Sequence, residues 1–466
     1  MSDAPTPLLM LHLGLGAFHR AHQALVLHRL IEAGDTRWQL AGTNLRPDAP
    51  EILAALQAQG GEYTLETISP EGRHDYTRVR SIHQVLPFSD DGAALVALGA
   101  QPHTRILSFT VTEAGYHLDA QRRLKAVSAE LDADLQALHD GQAGHTIYGA
   151  VCAILRARRA AGAGPLTLLS CDNLRHNGER FRSGLLDFID RLGDRPLRDW
   201  VRAHTRCPSA MVDRITPRPT PDVAERVRAA TGWADAVPVM GESFFQWVIE
   251  DDFIAGRPAW ERVGVQMVDS VVPHEEAKIR ILNASHSGVA WAGTLRGHRY
   301  IHEGTHDPLV RQLVHDYVTH DVMPCLQPSP VDLAAYRDTV LARFGNAALR
   351  DTNQRVTADG FSKIPAFIAP TVHDRLRRGE SIAAVAMLPA LFLAFLQRWH
   401  AGRLPFDYQD QVMDPAQAHA ICDSADPVAA VAGLASLWGA LAGDERLLAA
   451  LRLAQGRVHQ LLEDRA

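Results

Sequence analysis

Lys278, Asn283 and His286 stand at K-x4-N-x2-H spacing in Lys278-Ile279-Arg280-Ile281-Leu282-Asn283-Ala284-Ser285-His286. A lysine becomes a base where enclosure lowers its pKa. A neutral asparagine donates an N–H to a developing alkoxide without giving up a proton. Pro273 fits a first helical position, and Glu275 and Glu276 suit a first turn. On an α-helix, Lys278, His286 and Asn283 would sit at roughly 0°, 80° and 140°, on one wide face. The same pattern also fits a solvated lysine with two polar helix positions. A second feature is needed to decide.

That feature lies near the N-terminus. Leu8-Leu9-Met10-Leu11-His12-Leu13 reads as a buried strand. Gly14 and Gly16 follow and fit a tight turn that lets a pyrophosphate approach the backbone. The next segment, with Ala24, Leu27, Leu30 and Ile31 at helical spacing, would aim its first N–H groups at the phosphates. The third glycine of the usual fingerprint is missing, and His19 stands there. Gly-x-Gly alone is a weak signal; strand, glycines and helix together form a Rossmann-type nucleotide-binding unit.

These features belong to a chain of 466 residues, long enough for two or three domains. Apolar content of 46% and charged content of 22% describe an ordinary globular protein. A formal charge of −7, with no basic block, argues against a nucleic-acid partner. Cys152, Cys171, Cys207, Cys325 and Cys422 are scattered, without a C-x-x-C, which fits a reducing cytoplasm. The N-terminus has no basic, apolar signal pattern. The most apolar segment, Ile382 to Leu396, contains Pro389 and is too short for a membrane span. It predicts a buried helix, kinked or broken near the proline.

The first half alternates strand and helix patterns. Strands are predicted at Leu8–Leu13, Trp38–Thr43, Arg105–Thr112 and Leu166–Cys171, with helices near His19–Ala33 and Pro50–Gln59. That alternation predicts an α/β fold with a parallel sheet covered on both faces. From about Val271 helical patterns take over: Val331–Phe344, Ser381–His400, Pro427–Ala442 and Glu445–Asp464. The expected organisation is a Rossmann domain over 1–270 and a mostly α-helical catalytic domain over 271–466.

Five segments carry a resemblance: GLGAFHRAHQ (14–23), SFTVTEAGY (108–116), SCDNLRHNGERF (170–181), MVDRITPRP (211–219) and KIRILNASHS (278–287). In this order they resemble the polyol-specific long-chain dehydrogenases, the mannitol dehydrogenase family. The resemblance implies NAD dependence, no catalytic metal, a monomer, and an active site in a cleft between the two domains. It makes Lys278 the general base, Asn283 and Asn173 the oxyanion-hole amides, and His286 the motif histidine. It makes Asp213, Arg355 and Lys363 substrate-binding residues. The cofactor set comprises Gly14, Gly16, Ala17, Phe18 and His19 of the turn, Thr110 and Thr112 at the end of the third predicted strand, and Asp48 for the ribose. Asp48 lies about 34 residues past Gly14, later than the usual roughly 20. Arg46 beside it could meet a 2′-phosphate, so NADP stays open beside NAD.

Within the family, RWQLAGTNLRPD (37–48), GPLTLLSCDNLRHNGERF (164–181), VMGESFFQWVIED (239–251) and DTNQRVTADGFSKIPAFIAPT (351–371) are most similar to enzymes that act on D-arabinitol. The expected reaction is oxidation of D-arabinitol to D-xylulose. The mannitol/fructose pair is the alternative substrate reading. A non-catalytic NAD-binding sensor is the alternative of a different class, and it would have no use for a base and an oxyanion hole. Where the mannitol enzyme carries a histidine before Asp359-Gly360, this chain has Ala358.

Other readings compete at single residues. His286 also fits a structural histidine, Asp213 a cap or an ion pair with Arg214, Asn173 a turn former and Arg355 a surface position. The chain has 23 histidines. His298, His302 and His306 fall four apart and His19 and His22 three apart. Neither set forms H-E-x-x-H, so a zinc hydrolase is disfavoured.

Overall fold

A computed structural model describes residues 6–46, 50–89, 91–119 and 123–463. The chain divides into two compact units, one of Met1–Ser69 with Arg73–Val272 and one of Pro70–Gly72 with Pro273–Ala466.

The first unit is built on six parallel strands: β1 (Leu8–Leu13), β2 (Trp38–Thr43), β3 (Ile82–Val85), β4 (Thr104–Phe109), β5 (Leu166–Ser170) and β6 (Thr205–Arg206). Their order across the sheet is β3-β2-β1-β4-β5-β6, so the winding reverses between β1 and β4, where such sheets bind nucleotides. Residues alternate between the faces, as the strand period requires. Leu9, Leu11 and Leu13 pack with Ile147, Val151, Phe181 and Leu185 on one side. Met10 packs with Leu25, Leu27, Trp247 and Trp260 on the other. Burying each such side chain stabilises the fold by about 1.5–3 kcal/mol.

Two three-stranded sheets accompany it, which the apolar patterning did not predict. Tyr63–Ile68 pairs antiparallel with His74–Val79 and parallel with Val239–Glu242. Gln246–Glu250 pairs antiparallel with Ala210–Asp213 and parallel with Gln266–Val268. The helix expected near His19–Ala33 is two helices, Ala17–Ala21 and Gln23–Glu32, broken at His22 with φ −124° and ψ −88°.

The second unit is helical around one apolar core. Its long helices include Leu333–Phe344, Met387–His400 and Glu445–Glu463. Of the segment expected to be a helix kinked or broken near Pro389, the helix spans Met387–His400, so the break falls just before the proline and no kink follows from it. Pro389 therefore falls in the first turn, where its missing N–H has no intrahelical partner to lose. The segment Pro427–Ala442 is likewise broken, into Pro427–Ala432, Ala435–Trp438 and a 3₁₀ turn at Gly439–Leu441. Three stretches wind with i→i+5 hydrogen bonds as π-helix: Lys278–Asn283, Tyr317–Val322 and Ile364–Ile368. Among the described residues, no helix is long and apolar enough to cross a membrane.

Candidate active site

In the first unit, the carboxyl ends of β1, β2 and β4 carry Gly14, Asn44 and Thr110. Gly14 has φ +106°, and a Cβ on it would fall 2.4 Å from the Thr110 carbonyl oxygen, so no other residue fits. Thr110 Oγ1 donates to Gly14 O at 2.9 Å, and Leu15 N donates to Asn44 Oδ1 at 2.9 Å. These bonds tie the three strand ends together. Beside them lies a cavity of about 320 Å³ lined by Gly14, Gly16, Asn44, Arg46, Thr110 and Thr112, among others. A Cβ at Gly16 would meet nothing within 4 Å, so the cavity reaches the bare backbone there. That is what a dinucleotide needs at a switch point.

Ala17, Phe18 and His19 form the short helix that follows Gly16. His19 is buried and stacks on His12 of β1, ring centroids 3.4 Å apart. The position where a third glycine would let helix and strand approach is thus filled by two flat rings in contact. Burial pushes the His19 pKa down to about 3, so the ring is neutral. The ring packs against β1 within the segment that the resemblance assigns to the cofactor. Arg46 Nη2 sits 3.3 Å from Glu130 Oε1. Asp48 lies outside the described residues.

Asn173 follows β5 and is exposed. Its neighbour Asp172 is buried; Oδ1 accepts from Val111 N at 2.7 Å and Oδ2 from Tyr116 Oη at 2.7 Å. Burial pushes the Asp172 carboxyl up to about 7 against those bonds. Asn177, which motif reading passed over, is fully buried. Its amide donates to Asp172 O and Ala210 O and accepts from Ala210 N, at 2.7–2.9 Å. The turn carrying Asn173 is thereby fixed to the strand that ends in Asp213. Asp213 is buried and lies opposite Gln246 in register. Arg214 spends its guanidinium on the carbonyls of Glu242 and Ala21.

In the second unit, Lys278 and Asn283 are the first and last residues of a π-helical stretch. A helix closed by i→i+5 bonds takes more residues per turn than an α-helix, so residues five apart approach one line. The roughly 140° expected on an α-helix therefore shrinks, a correction that brings the pair closer. Lys278 is only 5% exposed.

His286 is aimed differently. Its Nε2 lies 3.1 Å from Asp351 Oδ2, and its ring stacks on Phe344 at 4.5 Å. Burial pushes its pKa below the usual value, against the pull of Asp351. Arg355 forks onto the same carboxylate, Nε to Oδ1 at 2.8 Å and Nη2 to Oδ2 at 2.7 Å. Burial alone would raise the Asp351 carboxyl, but His286 and Arg355 hold it far below the usual range. Asp351 thus joins two predicted site residues and was itself not singled out. Lys363 Nζ donates to Val356 O at 2.5 Å, and burial lowers its pKa to about 8. Ala358 precedes Asp359, whose φ of +58° is held by bonds to Gln409 and Gln411.

The sequence holds a signal that motif reading overlooked. Lysine occurs three times, at 125, 278 and 363, among 47 basic residues, leaving 47 − 3 = 44 arginines. Arginine stays protonated at any physiological pH and cannot act as a base. Lys125 is exposed, while Lys278 is buried and Lys363 partly so.

Sequence models of the mannitol dehydrogenase Rossmann domain and of the mannitol dehydrogenase C-terminal domain match residues 9–262 and 270–457. The chain belongs to the mannitol dehydrogenase family. It is an oxidoreductase with a Rossmann domain and a helical C-terminal domain. It is 57% identical to D-arabinitol 4-dehydrogenase of Ralstonia nicotianae over 97% of this chain and 96% of that one. It is 52% identical to D-arabinitol 4-dehydrogenase of Klebsiella pneumoniae over 97% and 98% of the two chains. It is also similar to Pseudomonas fluorescens mannitol 2-dehydrogenase in ternary complex with NAD and D-mannitol. That match has a TM-score of 0.81 and 34% identity, covering 98% of this chain and 94% of the other.

Proposed function

We propose that the enzyme oxidises a secondary hydroxyl of a polyol with NAD, and that the reaction is D-arabinitol to D-xylulose. The observation that carries this reading is the identity above one half to two D-arabinitol 4-dehydrogenases over nearly their full length. Gly14, Gly16, Thr110 and Thr112 hold the dinucleotide, with the open backbone at Gly16 receiving its phosphates. When bound, the nicotinamide ring supplies the hydride acceptor.

The chain's own residues do the rest. Lys278, almost fully enclosed, takes the hydroxyl proton. Asn283 and Asn173 donate N–H groups to the alkoxide oxygen. His286, Arg355, Lys363 and Asp213 contact the substrate hydroxyls. Arg355 is already forked onto Asp351, so it acts as a fixed element. A lysine base and amide donors supply what a Lewis acid would supply, and the reaction uses no metal. The enzyme works as a cytoplasmic monomer; its five unpaired cysteines support a reducing compartment.

The test is absorbance at 340 nm with NAD and a panel of polyols. D-arabinitol should lead mannitol in kcat/KM, and D-xylulose should lead fructose in reverse. Ala358→His should narrow the gap, because a site that hydrogen-bonds a hydroxyl discriminates strongly and one without the partner cannot. Mannitol used at least as efficiently as D-arabinitol would overturn the substrate assignment and leave the family intact.

A further inference from the structure

The helix that begins at Val272 changes its hydrogen-bond spacing on the way to Arg296. Through Lys278–Asn283 the bonds run i→i+5, and Ala284 N still reaches back to Ile279 O. From Ala284 onward the helix is α, with i→i+4 bonds. A return from five to four skips one carbonyl of the ladder. Counting on from Ile279, the skipped carbonyl is that of Arg280. A buried carbonyl without a donor is unfavourable. Here Tyr317 Oη donates to Arg280 O at 2.8 Å in a fully buried contact. Tyr317 is itself 0% exposed and opens the second π-helical stretch. The Arg280 side chain is clamped as well, Nε to Glu276 at 2.7 Å and Nη1 to Asp374 at 2.6 Å.

We propose that Tyr317 is a positioning residue for Lys278 and Asn283. Its hydroxyl supplies the donor for the carbonyl that the π turn leaves over, and the π turn sets the angle between the two side chains. Without that hydroxyl, Arg280 O would take a backbone donor, and the extra residue would move along the helix. Lys278 and Asn283 would then separate toward their α-helical angle. The proposal rests on the assignment of these two as base and alkoxide donor.

Tyr317→Phe tests it, because it removes one oxygen and keeps the ring. Activity is counted per NAD-binding site, so that loss of fold is not read as loss of rate. Turnover should fall about 10- to 100-fold, the range that slight misplacement of reacting groups produces. The polyol KM and the NAD Kd should stay near wild type. The kinetic isotope effect with C-deuterated polyol should rise as the chemical step becomes limiting. A crystal structure of the variant should show the π turn displaced from Lys278–Asn283. If Tyr317→Phe yields no folded protein, Tyr317→Met is measured in the same way. A folded variant with wild-type turnover and isotope effect, or one that keeps the π turn, overturns the proposal. The failures separate cleanly. If Lys278→Ala retains turnover, the base assignment is wrong. If Lys278→Ala is inactive and Tyr317→Phe is normal, only the positioning role is wrong.

Discussion

Lys278 and Asn283 open and close one π-helical stretch, five residues apart. In the proposed reaction, the proton acceptor and the alkoxide donor would share one short piece of backbone. Their separation is then set by helix geometry and not by the meeting of two loops.

Replacing Lys278 with Ala should lower turnover by about 10²–10⁴, the usual contribution of a positioned acid or base. The NAD Kd should be unchanged, since Gly14, Gly16, Thr110 and Thr112 are untouched. Steady-state kinetics and a fluorescence titration of NADH measure the two quantities. A variant within a few-fold of wild-type turnover would transfer the role of base to Lys363.

Lys363 should titrate at about pH 8. The chain has three lysines, so reductive ¹³C-methylation gives three side-chain signals and a clean assignment by Lys363→Met. Below that pH the group is an ammonium that donates to Val356 O; above it, a free amine. Its folded pKa lies under the ordinary value of about 10.4, so between those two values the unfolded chain holds the proton more tightly. Its contribution to stability therefore grows as pH rises through that window. A Lys363 signal that stays charged to pH 10 would contradict the burial argument.

Asp351→Ala should destabilise the protein by about 1–3 kcal/mol, because it strips the partner from both His286 and Arg355. The Asp351 carboxyl is held far below its ordinary value. Its contribution is thus present above the usual carboxylate range and is lost as pH falls through the folded pKa. Thermal unfolding of both proteins at pH 7 and at pH 3 reads this: the difference should shrink in acid. An equal difference at both values would show that the charge plays no part.

Glu130→Gln should raise the use of NADP relative to NAD. Arg46 lines the nucleotide cavity and is held by Glu130. An exposed pair is worth under about 1 kcal/mol, so the ratio of kcat/KM values should shift by no more than about 5-fold. An unchanged ratio would leave selectivity to residues other than this pair.

The parts of the fold that could be read in the sequence are those buried on both sides. Leu8–Leu13 is apolar nearly throughout because β1 is central in a parallel sheet, and its bounds follow from that run. Tyr63–Ile68 and His74–Val79 escaped notice because Thr64, Glu66, Asp75 and Arg78 break the pattern. The buried Glu66 is held by Arg226, a partner far along the chain. β6 is two residues long and carries no pattern at all. Around Lys278 and Asn283, the helix was legible in the sequence, but the π turn was not. Apolar periodicity in Ile279, Ile281 and Leu282 does not distinguish four-residue from five-residue bonds. Asp351 was hidden for a different reason: its role appears only when His286 and Arg355, 65 and 4 residues away, converge on it.

The π turn also bears on how such an enzyme changes over generations. Adding one residue to an α-helix rotates everything beyond it by about 100°. Ala284–Arg296 could not tolerate that, since apart from His286 and Arg296 all its residues are buried. A turn that takes up one surplus residue locally leaves the packing downstream in phase. Insertion or deletion at 278–283 can therefore alter the spacing of Lys278 and Asn283 while the core behind them stays the same. In this helix, the length of the reactive segment and the fit of the interior are free to evolve separately.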